Sequence, residues 1–303
     1  MSDGQIVVDG LTKVYKTVRA VDRLSFAVEP GRVTGFLGPN GAGKTTTLRM
    51  LLNLVRPTAG TATIGGQRYA DLHEPLRHVG AVLEASSAHK GRTGRNTLRV
   101  TCAAAGLPDS RADEVLELVG LTPAAKRKFK GYSLGMRQRL GIAQALLADP
   151  HVLILDEPAN GLDPEGIRWM RHLLKGLADQ GRTILVSSHL LSEMELLADD
   201  LVIIAAGQLV RQGSVAGIVN SMSHRAQVRV RTPNPDKLTS AVQEKGGTVG
   251  PGEDGTLSVA GLDAAQVGAT AFAAGVELHE LTAERPDLEG VFLELTQDKA
   301  GIR

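Results

Sequence analysis

The chain has 303 residues, of which 42% are hydrophobic and 22% are charged, an ordinary composition for a folded soluble protein. Its 34 Lys and Arg residues nearly balance 33 Asp and Glu residues, and a net charge of +1 gives no reason to expect nucleic acid as a main partner. The single cysteine, Cys102, excludes an intrachain disulfide and a metal site built from several thiolates. No apolar run approaches the ~20 residues of a membrane-spanning helix, and no secretory leader is recognisable. We therefore expect a soluble chain of about two domains.

Strand and helix signals alternate over the first two thirds of the chain, which predicts an α/β domain with a mostly parallel sheet covered by helices. Two short strands, Ile6–Val8 and Leu24–Val28, are expected to lead in as antiparallel strands. Apolar positions at helical spacing between Asn96 and Lys130 predict a helical insertion over about 86–148. The strands of the main sheet are apolar along most of their length, as expected for strands buried on both faces. They are predicted at Arg32–Leu37, Val79–Leu83, Val152–Leu155, Thr183–Ser188 and Leu201–Ala205.

A second, smaller unit of the α+β class is predicted after the α/β pattern ends near Gly213. Its elements follow the order β-α-β-β-α-β of a ferredoxin-like module. The domains are accordingly predicted at 1–220 and 221–303. The elements are expected at "QVRVR", Asp236–Lys245, a hairpin around Pro251–Gly255, Ala264–Ala274 and Val276–Leu281, with a last helix over Leu288–Leu295.

The segment "GPNGAGKTT" follows the strand that ends at Leu37 and opens a helix. Small residues at this spacing let backbone N–H groups surround a phosphate at a helix N-terminus, where the helix dipole favours negative charge. Lys44 is then expected to reach the β- and γ-phosphates, and the Thr45 hydroxyl to ligate Mg²⁺. The alternative is a plain glycine-rich turn. The predicted nucleotide-binding residues of this loop are Gly38, Pro39, Asn40, Gly41, Ala42, Gly43, Lys44, Thr45 and Thr46.

Two carboxylates end the strand in "HVLILDEP". Because ligands of open α/β sheets bind at the carboxyl ends of the strands, Asp156 is placed to ligate Mg²⁺ and Glu157 to act as a general base toward water. The alternative is a pair of solvated turn residues, which Pro158 makes less favourable because it stops the strand as the pair emerges.

The segment "GYSLGMRQRLGIAQALLADP", Gly131–Pro150, resembles the signature helix of ATP-binding-cassette (ABC) ATPases. In this family the signature of one subunit closes over nucleotide held by the other. The resemblance implies that the Ser133 hydroxyl and Gly135 face a γ-phosphate, whereas residue type alone favours a helix capped by Ser133. Leu134 departs from the family's usual glycine, and Met136 from its frequent glutamine.

Other motifs agree with the family in order and spacing along 6–213. Tyr15 occupies the position of the adenine-stacking aromatic, with a half-buried strand-end residue as the alternative. Asn160, Gly161, Leu162 and Asp163 match the D-loop, which implies that Asp163 contributes to nucleotide binding. His189, after "TILVSS", matches the switch histidine and is expected near the γ-phosphate.

Glu84 ends the apolar run "VGAVL" where most of the family has glutamine. A carboxylate there is expected to bind the metal, directly or through water, and to raise the proton affinity of a neighbouring carboxylate. The departure resembles a subset of drug- and antibiotic-exporter ATPases, whose permease is a separate chain. The alternative is a solvated turn residue.

The resemblance therefore implies an ATP- and Mg²⁺-dependent ATPase, paired with itself or a similar chain, that drives a separate integral-membrane permease from the cytoplasmic side of the cell membrane, without nucleic acid. Multidrug or antibiotic efflux is the expected cargo class. Two alternatives are an ABC ATPase acting on ribosomes or DNA and a nucleotide-sensing scaffold. A basic run in the insertion is expected to be a solvated face, with lipid headgroup contact as the alternative; it comprises Lys126, Arg127, Lys128 and Lys130.

Overall fold

The computed structural model describes residues 4–83, 88–220 and 227–284, together with Leu288, Gly290 and Phe292. Within these residues the chain divides into two compact units, and the second begins at Ala216. The domain bounds of 1–220 and 221–303 remain a prediction. No helix in the described part of the chain is both long enough and apolar enough to cross a bilayer.

The first unit confirms the predicted α/β architecture with antiparallel lead-in strands and a helical insertion. Its strands are β1 (Ile6–Tyr15), β2 (Val18–Val28), β3 (Val33–Leu37), β4 (Ala59–Ile64), β5 (Val79–Val82), β6 (Val152–Asp156), β7 (Thr183–Ser188), β8 (Asp200–Ala205) and β9 (Gln208–Ser214). Its helices are α1 (Lys44–Leu51), α2 (Pro75–His78), α3 (Gly94–Ala104), α4 (Ser110–Leu118), α5 (Leu134–Ala145), α6 (Pro164–Asp179) and α7 (Leu191–Leu197), and α8 (Val215–Asn220) follows them.

The six-stranded sheet runs in the order β5-β6-β7-β3-β8-β9 and is parallel except for β9. Its central strands β3 and β7 are buried at every position, as expected for parallel strands covered on both faces of the sheet. This arrangement brings the carboxyl ends of β3, β6 and β7 to one edge of the sheet, where ligands of open α/β sheets bind.

The lead-in strands form a much longer hairpin than the predicted Ile6–Val8 and Leu24–Val28. Strands β1 and β2 pair antiparallel from Ile6–Val28 to Tyr15–Val18, and β4 joins the other edge of β1. Three register shifts interrupt the β1–β2 ladder. Because such bulges break the two-residue alternation, the middle of the hairpin lacks the pattern by which a strand is recognised in a sequence.

The second unit has the predicted β-α-β-β-α-β order, and its four strands form an antiparallel sheet in which the third strand along the chain pairs with the second and the first, and the fourth pairs with the other edge of the first. The last strand was predicted at Val276–Leu281, which is wrong by several residues, because Gly275 has a positive φ and the Val276 amide still bonds to the helix carbonyl of Ala271. The predicted helix Leu288–Leu295 lies mostly outside the described residues. The elements are β10 (Gln227–Arg231), α9 (Pro235–Glu244), β11 (Thr248–Pro251), β12 (Leu257–Ala260), α10 (Ala264–Ala273) and β13 (Glu280–Glu284).

Candidate active site

The loop between β3 and α1 has the tight backbone expected of a phosphate cradle. Gly41 and Gly43 have φ values of 80° and 101°, in the left-handed region that favours glycine. A Cβ on Gly43 would lie 2.6 Å from the carbonyl oxygen of Ala20 in β2, and one on Gly38 would lie 2.6 Å from that of Ile204 in β8. The loop is therefore held against two neighbouring strands, and its glycines at 38 and 43 have no room for a side chain.

Lys44, the first residue of α1, places a buried ammonium group inside this loop. Only 7% of the residue is exposed. Its Nζ donates to the carbonyl oxygen of Gly38 at 2.6 Å and lies 3.7 Å from Oε1 of Glu157. A buried cation needs compensating negative charge, and phosphate oxygens at the helix N-terminus would supply it. The residues of the loop therefore fit the phosphates of a nucleoside triphosphate.

Thr45 and Asp156 meet directly although they lie far apart in the sequence. The Thr45 hydroxyl donates to Oδ2 of Asp156 at 2.7 Å. Oδ1 of the same carboxylate accepts a hydrogen bond from the hydroxyl of Ser187, which is the residue opposite Asp156 in the parallel pairing of β6 with β7. Ser187 thus fixes the Asp156 carboxylate with one oxygen turned toward Thr45, and the sequence reasoning missed it.

The Thr45 and Asp156 oxygens suit Mg²⁺, which takes hard oxygen ligands. The Thr45 hydroxyl and the Asp156 carboxylate would supply two such oxygens from adjacent positions in the site. Mg²⁺ sites in nucleotide-dependent enzymes commonly use one or two protein oxygens plus phosphates and water. No three His, Cys, Asp or Glu side chains cluster as a metal site in the described parts of the chain.

Glu157, the residue after β6, lies between the side chains of Lys44 and His189. Oε1 faces the Lys44 ammonium, and Oε2 lies 2.7 Å from Nδ1 of His189. Its backbone N–H donates to the Ser187 hydroxyl at 3.0 Å, and its φ of 50° is unusual for a residue with a side chain. Such strain costs about 1–3 kcal/mol and persists where the surroundings hold it. The contacts aim the carboxylate into the space in front of the phosphate loop.

Tyr15 lies at the turn of the β1–β2 hairpin, whose second strand contacts the phosphate loop at Ala20. Its side chain is exposed (45%), and the Lys13 ammonium lies 4.9 Å from the centre of its ring. An exposed ring is available for stacking with a base. Adenine contact by Tyr15 remains a prediction.

The signature and D-loop residues line a second cavity of about 380 Å³, at the junction of α5 and α6. Ser133 caps α5 by accepting from the Met136 N–H at 3.2 Å, and Asp163 caps α6 by accepting from the Gly166 N–H at 2.8 Å. Gly135 also lines this cavity, and no residue of the phosphate loop does. The structure thus brings together Lys44, Thr45, Asp156, Glu157 and His189, and places Ser133, Gly135 and Asp163 apart from them.

Leu134, the departure in the signature, lies over the D-loop of the same chain. A Cβ added to Gly161 would fall 2.2 Å from Leu134 Cδ2, so the two residues are in direct contact. Leu134 is nevertheless 54% exposed. Its side chain therefore fills space above Gly161 and still presents an apolar surface outward.

Of two further residues named from the sequence, Glu84 and Cys102, the structure describes only Cys102. Glu84 lies outside the described residues, so its contact with the metal remains a prediction. Cys102 is fully buried in α3, and burial raises the pKa of its thiol. The thiol is therefore kept neutral in the core of the helical insertion.

Comparisons with known proteins agree with this geometry. The ABC transporter family model matches residues 21–160. An uncharacterised ABC transporter ATP-binding protein of Bacillus subtilis, YhcH, is 48% identical across 66% of this chain and 68% of its own length. The chain belongs to the ABC transporter ATP-binding family. It is an ABC-type ATPase that binds ATP, as the family resemblance implied.

Relatives named for antibiotic or drug transport are among the matches. The bacitracin transport ATP-binding protein BcrA of Bacillus licheniformis is 47% identical over 67% of each chain. The daunorubicin/doxorubicin resistance ATP-binding protein DrrA of Streptomyces peucetius is 35% identical over 98% of this ABC ATPase and 94% of its own length. A solved ATP-binding subunit of an ABC transporter superposes with a TM-score of 0.65 at 28% identity, covering 72% of this chain and 92% of its own. Residues 226–289 match a domain of unknown function, DUF8746.

Proposed function

We propose that two copies of this ATPase bind two ATP molecules at a shared interface and drive a separate integral-membrane permease that exports drugs or antibiotics. The names of BcrA and DrrA support this cargo class, and DrrA matches the chain across the second unit as well as the first. The chain would act as a peripheral subunit on the cytoplasmic side of the membrane, attached to its permease.

The main support for a dimer is that the residues expected to bind one ATP form two separate groups within a single chain. The phosphate loop, Asp156 and Glu157 form one constellation, whereas Ser133 and Gly135 line a different cavity. Donors at the start of a helix favour an anion, yet those of α5 line a cavity to which the phosphate loop of the same chain contributes no residue. A second copy related by two-fold symmetry would supply a nucleotide to each signature, so each ATP would be enclosed by both chains.

The contacts around Glu157 support its role as the general base in hydrolysis. Its carboxylate would accept a proton from the water that attacks the γ-phosphate, while His189 holds Oε2 in place. Lys44 would bind the β- and γ-phosphates, and its ammonium lies 3.7 Å from Oε1 of the Glu157 carboxylate. Mg²⁺, ligated by Thr45 and Asp156, would neutralise charge on the phosphate oxygens.

A groove beside β5 supports docking of a permease segment. It has a volume of about 470 Å³ and lies between the sheet edge and the helical insertion. Its apolar lining suits the apolar face of a helix from a partner chain. Both sides of the groove contribute apolar side chains, among them Val82, Leu83, Leu107, Phe129, Leu140 and Leu147.

Glu157→Gln tests the proposed cycle. The variant should bind ATP normally but hydrolyse it at least about 100-fold more slowly, because it lacks the base, and it should accumulate as an ATP-dependent dimer in size-exclusion chromatography. Glu165→Gln, which alters an exposed carboxylate of α6, is the matched control and should behave as wild type. Full steady-state hydrolysis by Glu157→Gln, or a monomer at saturating ATP, would contradict the proposal.

The permease is tested by purifying the tagged chain from its own cell membranes in mild detergent and identifying what co-purifies. A membrane-spanning partner supports the transport function. Recovery of the chain on ribosomes or DNA, without a membrane partner, would instead support an ABC ATPase outside transport.

A further inference from the structure

A dense group of exposed cations lies on the helical insertion, outside every site described above. We call it the basic ladder; it consists of Lys90, Arg92, Lys126, Arg127, Lys128 and Lys130. All six residues are exposed. The sequence showed only the run at 126–130; the fold adds the other two cations from a segment more than thirty residues earlier.

Backbone hydrogen bonds hold the two segments side by side. The Phe129 amide donates to the Arg92 carbonyl at 2.8 Å, and the Lys130 amide donates to the Lys90 carbonyl at 3.0 Å. Thr93 and Lys128 form an antiparallel bridge. The buried Phe129 ring anchors this pairing from below, so the cations are presented by a fixed backbone.

The basic ladder has no acidic partner among the residues that the structure describes. Two acids at the N-terminal end of α4 are already paired with other arginines: Asp109 pairs with Arg99, and Asp113 pairs with Arg95. In a chain whose net charge is only +1, six clustered cations concentrate positive potential on one surface.

We propose that the basic ladder binds the anionic lipid headgroups of the membrane next to the permease. The proposal rests on the proposed function, because docking in the groove beside β5 would bring this surface to the membrane. Phe129 lines that groove while its neighbours Lys128 and Lys130 belong to the basic ladder, so the two surfaces are continuous.

The chemistry of the basic ladder favours lipid over other anionic partners. Four of its six cations are lysines, which act as hydrated point charges and suit diffuse headgroup attraction better than bidentate recognition of one carboxylate. Its one intervening aromatic, Phe129, is only 2% exposed and is unavailable for stacking on nucleotide bases. Clusters of four to eight Lys and Arg residues at a cytoplasmic membrane surface typically bind acidic lipids, at about 1 kcal/mol per residue.

Vesicle flotation of the purified full-length chain tests the proposal. The chain should float with phosphatidylcholine vesicles that contain about one third phosphatidylglycerol and remain unbound with pure phosphatidylcholine. The triple variant Lys126→Gln, Lys128→Gln, Lys130→Gln should bind about 100-fold more weakly, at ~1 kcal/mol for each lysine. Binding should also decrease with added salt, because solvated charges are screened.

A second triple variant controls for the loss of net charge. Arg168→Gln, Arg171→Gln and Lys175→Gln remove the same charge from α6, and the variant should retain most vesicle binding. Both variants should keep the wild-type urea-unfolding midpoint and solution ATPase activity, since neither alters the active site. Equal losses in the two triple variants would mean that net charge alone drives binding, and would overturn the proposal.

Two further outcomes distinguish lipid binding from binding to an acidic protein segment, and from failure of the proposed transport function. The wild type could fail to bind phosphatidylglycerol vesicles while the Lys126/Lys128/Lys130 variant fails to associate with membranes that contain the permease. In that case an acidic protein segment is the partner and the lipid proposal is wrong. If vesicle binding depends on the basic ladder while no permease co-purifies, the lipid contact stands and the transport function fails.

Discussion

The Ser187 hydroxyl is predicted to hold the two acidic residues of the active site in position. It is completely buried, donates to Oδ1 of Asp156 and accepts from the Glu157 amide at 3.0 Å. Ser187→Ala removes both contacts with almost no change in volume. Asp156 then loses the hydrogen bond that turns its other oxygen toward Thr45.

The expected loss of stability in Ser187→Ala follows from these two hydrogen bonds. A hydrogen bond to a charged group contributes about 1.5–3 kcal/mol, and a neutral one about 0.5–1.5 kcal/mol. The Glu157 amide also bonds to the Ser187 carbonyl at 3.2 Å, which the substitution leaves in place, so its loss is partial. We expect Ser187→Ala to lower the free energy of unfolding by about 2 kcal/mol, and to raise the Mg²⁺ concentration for half-maximal ATPase activity about tenfold, as when a metal ligand loses its supporting bond.

Urea unfolding and a Mg²⁺ titration of ATPase activity measure these two effects. Ser188→Ala is the matched control, because Ser188 is almost as buried, but within the described residues its hydroxyl bonds only to the Leu190 amide, from which it accepts at 2.9 Å. It should lose about 1 kcal/mol of stability and keep the wild-type Mg²⁺ titration. An unchanged titration in Ser187→Ala, or equal shifts in both variants, would refute the assigned role of Ser187.

Further predictions concern the phosphate loop and the helical insertion. Gly43→Ala should abolish binding of a fluorescent ATP analogue, because the new Cβ would meet the Ala20 carbonyl oxygen at 2.6 Å where φ is 101°. Gly176→Ala, in the open interior of α6, should instead keep full binding and gain about 0.5–1 kcal/mol of stability, and binding by both variants would contradict the steric argument. The thiol of Cys102 should react slowly with a disulfide reagent at pH 8 in native protein and rapidly in urea, because burial covers it and raises its pKa. Stoichiometric labelling within seconds under native conditions would show that α3 opens readily.

The parts of the site that the sequence predicts well are the ones encoded by neighbouring residues. The phosphate loop and the pair Asp156–Glu157 each lie within one short segment, and the strand before each is apolar along most of its length. A short motif between a strand and a helix fixes its own local backbone, so residue spacing predicted the geometry.

Ser187 was missed because its role depends on the pairing between two strands. The segment "TILVSSH" offers two adjacent serines, and both are buried. Only the register of β6 with β7 places Ser187 opposite Asp156. A shift by one residue would exchange the faces of the two serines, and no property of either segment alone specifies that register.

The contacts of Leu134, the residue at which the signature departs from the family pattern, also depend on the tertiary fold. Leu134 contacts Gly161, and further along α5 and α6 the Arg139 guanidinium lies 4.3 Å from the centre of the Trp169 ring. Arg139 also donates to the Val119 carbonyl at 3.2 Å, at the end of α4. The signature helix and the D-loop helix are thus joined at two points rather than one. Because packed elements transmit displacement instead of absorbing it, we expect a displacement of α5 to reach the D-loop and α6 through these two contacts.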